Sequence, residues 1–308
     1  MVTFVIRPIA PYDFSLMVRR LKGVKHEAFR FEENTNTLSR TIRTKNSVYL
    51  AQIRSVGSTE APELEVRLSG TPPPGPEESS ELRTKLTRML SATVNLKPFY
   101  EHMASIGPEM QALTGRFRGL HLLTEADLFE CMCKTIIGQQ LNLSFASELT
   151  RRLMRTAAEP FLADGVEYPV FPSPEDVAAL EYEQLQELQF SRRKAEYVID
   201  WARKMKDGTV DGDSLYEKSD DQIMTELLPL RGIGRWTVEC FLLFGLGRTN
   251  LLPAADIGVR NALKKLYGLD VQPSEQDVRT LGASWSPWSS YVTLYLWESL
   301  HEWEGEKL

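Results

Sequence analysis

The sequence predicts an α+β fold: an N-terminal antiparallel sheet with helices over residues 1–80, then two all-α subdomains. One subdomain is assigned to residues 120–245, the other to residues 81–119 together with 246–308. Three observations support this. Short runs of alternating apolar and polar residues fill the first part of the chain. A Gly70-Thr71-Pro72-Pro73-Pro74-Gly75-Pro76 stretch closes that part. From Glu81 onward the apolar spacing is helical almost throughout.

Val2, Phe4 and Ile6 alternate with Thr3 and Arg7, and strand-like runs recur at residues 28–32, 38–43, 48–56 and 64–68, separated by turn residues such as Asn34-Thr35-Asn36. Residues 12–21 read as a short helix. Past the prolines, Leu82, Leu86, Met89 and Leu90 share a helical face, as do Leu128, Met132, Ile136 and Ile137, then Leu149 and Leu153, then Ala195, Val198, Ile199 and Ala202. Residues 158–175 and 206–213 read as loops, and no internal repeat interrupts the pattern.

The composition excludes several classes. No uninterrupted apolar run is long enough to span a bilayer, and Arg7 breaks the first apolar segment, so no membrane span or signal peptide is expected and the cytoplasm is the default location. Cys131, Cys133 and Cys240 support neither a disulfide framework nor a four-cysteine cluster, and His26, His102, His121 and His301 lack metal-ligand spacing. A net charge of −6 argues against indiscriminate nucleic-acid binding. Nucleic-acid binding is reconciled with that charge if phosphate contacts come mainly from backbone amides and a few local bases, with acidic residues such as Glu298, Glu302, Glu304 and Glu306 placed elsewhere.

The most informative stretch is residues 219–260. Ser219-Asp220-Asp221 is a helix N-cap cluster leading into Ile223, Met224, Leu227 and Leu228. Pro229 cannot continue that helix. Gly232 and Gly234 are both free to take positive φ, and Arg235-Trp236-Thr237 opens a second helix carrying Trp236, Cys240, Leu243 and Phe244 on one face. Such a hairpin turns the backbone N–H groups of Gly232, Gly234 and the following turn outward at the positive end of a helix, which suits a phosphate oxygen. Taken alone, the two glycines more often mean an ordinary tight turn. They are not a dinucleotide fingerprint, since a helix precedes them and Thr237 stands where a third glycine is required. Asp256 follows at the start of another helix marked by Ile257, Val259, Ala262, Leu263 and Leu266, and a lone Asp there is more often a cap than a catalyst.

In combination, Leu230-Arg231-Gly232-Ile233-Gly234, Trp236-Thr237 and an Asp twenty-two positions after Gly234 resemble the helix-hairpin-helix DNA glycosylase superfamily, and within it bacterial DNA-3-methyladenine glycosylase II. Ile137-Gly138-Gln139-Gln140, Phe171-Pro172-Ser173-Pro174, Arg193-Lys194-Ala195-Glu196 and Trp285-Ser286-Pro287-Trp288-Ser289-Ser290-Tyr291 ending in Trp297 extend the likeness over roughly residues 120–300. The resemblance implies an N-terminal domain of TATA-binding-protein-like topology and a cleft between the helical subdomains.

It further implies Asp256 as the catalytic carboxylate, with Trp236, Cys240 and Trp297 lining a pocket for a base flipped from damaged double-stranded DNA. Cys240 stands where a Tyr is expected. Gly232, Gly234, Arg235 and Thr237 would meet the DNA backbone, and Gln139 and Gln140 would form the wedge, a Gln at 140 replacing a Leu. Arg231, where a Pro is usual, either adds a phosphate contact or loosens the turn. Trp236 occupies the place of the Schiff-base Lys of lyase members, and Lys264 and Lys265 read as solvent-facing charges. The absence of cysteine after Asp256 rules out the C-terminal iron–sulfur cluster of some members. The expectation is a monofunctional glycosylase for alkylated purines of the 3-methyladenine and 7-methylguanine class, leaving an abasic site. It needs no cofactor beyond, at most, a monovalent cation at the hairpin backbone, and no obligate protein partner. The alternatives are a glycosylase for oxidised purines and a non-catalytic helix-hairpin-helix binding module, in which Asp256 would be a cap only.

Overall fold

The computed structural model describes residues 1–21 and 28–301; His26, Glu302, Glu304 and Glu306 lie outside them. Each strand-like run becomes a strand: β1 (Val2–Ile6), β2 (Arg30–Glu32), β3 (Thr37–Arg43), β4 (Val48–Ser55) and β5 (Leu64–Ser69). They form one antiparallel sheet in the order β1-β5-β4-β3-β2. Leu38 lies opposite Ile53, and Ile53 opposite Val66, so the period-2 pattern gathers one fully buried face. The expected helix at 12–21 is shorter, α1 (Phe14–Val18) followed by a 3₁₀ turn (Arg19–Leu21), with Asp13 capping it through the Leu16 amide.

The inner face of the sheet carries α2 (Pro76–Met89), which opens on a proline in its first turn and buries Leu82, Leu86 and Met89. Then come α3 (Lys97–Ile106), α4 (Pro108–Arg116), α5 (Leu128–Gly138) and α6 (Leu143–Ala157). The stretch 158–175, expected to be loop, contains a two-stranded hairpin, β6 (Phe161–Ala163) and β7 (Val166–Tyr168). Its turn residues Asp164 and Gly165 both have positive φ, so this Asp-Gly dipeptide is the hairpin signal, while three-residue strands are too short to show alternation. The chain continues through α7 (Pro174–Ala178), α8 (Tyr182–Glu187), α9 (Arg192–Lys206), α10 (Gly212–Leu215), α11 (Asp220–Leu227) and α12 (Arg235–Phe244). It closes with α13 (Ile257–Leu266), α14 (Glu275–Gly282), a 3₁₀ turn (Ala283–Trp285) and α15 (Ser289–Ser299).

Two hydrophobic clusters result. One joins the sheet to α2, α3, α4, α13 and α15, including Leu38, Ile53, Leu86, Phe99, Leu263 and Tyr291. The other joins α5, α6, α9, α11 and α12, including Met132, Leu153, Trp201, Ile223 and Phe241. Phe244 and Leu251 pack against both, so the end of α12 and the segment after it lie where the clusters meet.

A buried ion cluster ties the sheet to α5. Arg40 shares the inner face of β3 with Leu38 and Ile42, yet its guanidinium reaches Glu130 at 2.5 Å and Glu125 at 3.3 Å, and Lys134 reaches Glu125 at 2.6 Å. Glu298, expected among peripheral surface charges, is instead fully buried in α15. Among the described residues no helix is long and apolar enough to cross a membrane, and no group of His, Cys, Asp and Glu could hold a metal ion.

Candidate active site

The hairpin forms as the helix-breaking residues require. Ser219 caps α11 in a reciprocal box with Gln222, the helix ends before Pro229, and Gly234 is the N-cap of α12. Only one of the two glycines is left-handed. Gly232 has φ +86°, whereas Gly234 is extended at φ −95°. A Cβ on Gly232 would lie 2.2 Å from the Tyr197 ring, while one on Gly234 would meet nothing within 4 Å. The first glycine is therefore demanded by the fold. The second leaves an open face for an approaching backbone.

Gly232→Ala is accordingly expected to destabilise the protein by about 3 kcal/mol, since it combines a left-handed penalty with a collision against a packed ring. Chemical denaturation of the variant beside the wild type measures this. Arg235, exposed on the first turn, pairs with Glu239 at 3.2 Å. Arg231 turns to α9, pairing with Glu196 at 2.5 Å and lying over the Tyr197 ring at 5.5 Å. It thus braces the turn.

Gln139 and Gln140 separate sharply. Gln139 Nε2 donates to the Gly232 carbonyl and to Thr237 Oγ1, each at 2.9 Å. Gln139 is thus tied to the hairpin, and Thr237 is 2 % exposed, so its side chain faces the interior and only its backbone is left for a phosphate. Gln140 instead projects outward at φ +56°, between Gln139 and the partly buried Leu141.

The sequence reading missed the residue beneath this loop. Lys194, in the first turn of α9, donates from Nζ to the carbonyls of Ile136, Ile137 and Gln139 at 2.9, 2.8 and 2.7 Å. An ammonium there satisfies carbonyls left over at the C-terminus of α5 and complements its dipole. Burial pulls it down to about 8, leaving it charged at neutral pH. The motif Arg193-Lys194-Ala195-Glu196 flagged the position without revealing its partners.

Asp256 is indeed the N-cap of α13, accepting from the Val259 amide at 2.8 Å. It is also more than that. The indole Nε1 of Trp297 donates to the same oxygen, Oδ1, at 2.8 Å, and among the described residues Oδ2 accepts no hydrogen bond. Gly258 keeps this cluster tight, as a Cβ there would stand 3.0 Å from Asp256 Oδ1 and 3.1 Å from the Trp297 ring. Trp297 in turn stacks on Phe244, ring centroids 6.2 Å apart and planes 14° from parallel.

One and two turns before Phe244 on α12 come Cys240 and Trp236. Burial, then the charges of Glu239 and Asp256, push the Cys240 thiol up to about 12, so it stays neutral. Trp236 is 50 % exposed, unusual for an indole and suited to a stacking face. The loop that delivers Asp256 is pinned by the tryptophan-rich motif: Ser290 Oγ donates to the Arg248 carbonyl at 2.7 Å and accepts from the Leu251 amide at 2.9 Å, and Ser289 Oγ donates to Asn250. Lys264 and Lys265 are exposed on α13.

The chain has relatives of known sequence and structure. Residues 133–287 match the family model described as HhH-GPD superfamily base excision DNA repair protein. The chain is 37 % identical over 291 residues to YfjP of Bacillus subtilis (strain 168), a provisionally assigned DNA-3-methyladenine glycosylase, covering 94 % of this chain and 96 % of the relative. It is 32 % identical over 207 residues to the DNA-3-methyladenine glycosylase of the same organism, covering 67 % and 68 % of the two chains. In fold it superposes on the 3-methyladenine DNA-glycosylase from Archaeoglobus fulgidus with a TM-score of 0.82, at 23 % identity and over 96 % of this chain and 97 % of the other. The chain belongs to the HhH-GPD superfamily of base excision DNA repair proteins.

Proposed function

We propose that the chain is a monofunctional DNA glycosylase that flips alkylated purines of the 3-methyladenine and 7-methylguanine class out of duplex DNA and hydrolyses their N-glycosidic bond. The observation that carries this reading is the state of Asp256: one carboxylate oxygen is fixed by two donors, the other accepts from none of the described residues, and the group sits beside stacked aromatic rings. As the base departs with the electrons of the glycosidic bond, positive charge builds on the sugar, and a fixed carboxylate stabilises it, orients the water whose oxygen bonds the anomeric carbon and takes the proton that the water gives up. The products are the free base and an abasic site. Alkylated purines carry positive charge, which the faces of Trp236 and Trp297 attract. Relatives named as DNA-3-methyladenine glycosylases support the substrate class. The lack of any Lys in α12, together with the exposure of Lys264 and Lys265, supports hydrolysis without strand cleavage.

The test is release of free bases from methylated duplex DNA, run beside an 8-oxoguanine duplex, with strand integrity checked before alkali. Methylated purines released from intact strands are the expected result. Release from neither duplex would favour a binding module, and nicking without alkali would overturn the monofunctional assignment. The hairpin's part is tested by Gly234→Ala. Stability should stay within about 0.5 kcal/mol, while affinity for an abasic duplex falls by about 10-fold as the added methyl holds the phosphate away. Unchanged affinity would remove Gly234 from the interface.

A further inference from the structure

We propose that Lys194 is a positioning residue for base flipping: through the C-terminal carbonyls of α5 it fixes the loop that presents Gln140, with Gln139 locking the same loop to the hairpin. The inference rests on the reading above, in which that loop enters the duplex.

Three features carry it. Lys194 Nζ spends all three of its donors on this one loop, reaching the carbonyls of Ile136, Ile137 and Gln139, and it makes no ion pair with any described carboxylate. Gln139 then bridges to the Gly232 carbonyl and Thr237 Oγ1, joining the loop to the turn that would hold phosphate. Between these ties Gln140, exposed at φ +56°, is the third residue of a type II turn closed by Leu141 N–H to the Gly138 carbonyl at 3.2 Å, with Gln139 second at φ −53° and ψ 123°. Such a turn calls for positive φ at its third residue, and the bond from Lys194 to the Gln139 carbonyl holds the central peptide in the orientation the turn needs. Wedge and phosphate-binding turn thereby become one unit, whose spacing is set before DNA arrives. A wedge works only if it enters the stack at a fixed distance from the gripped backbone, so loosening the loop should cost flipping while sparing the chemistry at Asp256.

The experiment is a double-mutant cycle on Lys194→Met and Gln140→Ala, read by single-turnover base release from methylated duplex DNA. A second readout, independent of activity, is the fluorescence of 2-aminopurine placed opposite a tetrahydrofuran abasic analogue. Lys194→Met should lower base release by about 10- to 100-fold and remove most of the fluorescence change at saturating protein. In the Gln140→Ala background the same substitution should cost no more than about 3-fold, because a residue acting through the wedge has nothing left to position. Lys194→Arg, which keeps the charge and several donors, should recover most of both signals and serves as the folded comparison, with melting temperatures recorded for all.

Additive losses in the cycle, or wild-type fluorescence in Lys194→Met, would overturn the proposal. If the wild type released no methylated base yet the fluorescence pattern across the variants held, the alkylpurine assignment would fail and the role of Lys194 would stand.

Discussion

Asp256→Asn is expected to lower single-turnover release of methylated purines by at least about 1,000-fold while leaving the protein folded. The substitution isolates charge. An Asn oxygen can still accept from the Val259 amide and the Trp297 indole, and Asn caps helices as well as Asp does, so α13 keeps its start. The melting temperature should therefore move by less than about 3 °C, the shift that about 1 kcal/mol produces in a protein of this size. What disappears is the negative charge that, in the proposed reaction, faces the sugar as the base leaves. Retained activity in a folded variant would return Asp256 to the role of a cap.

Trp297→Phe makes the complementary cut. It preserves a ring to stack on Phe244 but removes the indole N–H, leaving Asp256 held by the Val259 amide alone. A loss of about 10-fold, with little change in stability, is the scale expected when one of two orienting hydrogen bonds goes.

How much of this was legible in the sequence depended on the range of the signal. The five strands of the sheet, the proline-marked start of α2 and the helix-hairpin-helix are encoded by neighbours in the chain, through period-2 alternation, a fixed-φ residue and a glycine turn. Asp256 was legible as a candidate because a helix start is a local property. Its second donor was not, since Trp297 lies forty-one residues away. Gln139 and Gln140 are indistinguishable as letters, and only the tertiary position of Gly232 and Thr237 turns one inward and leaves the other out. Lys194 looked like any basic residue in a first helical turn, where a cation is locally unfavourable; its partner is the opposite pole of a different helix. Gly232 and Gly234 read alike as permissive residues, yet only Gly232 uses that freedom.

Arg40 is the strongest case of long-range encoding, and it carries the second large effect. Arg40→Met is expected to destabilise the protein by about 3–5 kcal/mol, because removing one member of a buried ion cluster leaves an uncompensated charge. The cluster holds Arg40 and Lys134 against Glu125 and Glu130, and the guanidinium also lies 4.6 Å from the Phe29 ring centroid. Without Arg40, one ammonium faces two carboxylates, and Glu130 loses its 2.5 Å partner in a site closed to water. Adding Glu130→Leu should return most of the lost stability, since Lys134 and Glu125 remain paired at 2.6 Å and an apolar pair of similar volume can replace a buried ion pair at little net cost. A double variant as unstable as the single one would show that the cluster stabilises by more than mutual neutralisation. The effect on activity separates structure from chemistry. Arg40 and Glu130 clamp the first half of α5 to the sheet, whereas the Gln139-Gln140 loop leaves its far end under the hold of Lys194. At temperatures where the Arg40 variant is folded, base release should stay within about 3-fold of wild type, as expected for sites with no shared partners. A larger loss would mean that the sheet reaches the Gln139-Gln140 loop through α5, giving the N-terminal domain a part in positioning the proposed wedge.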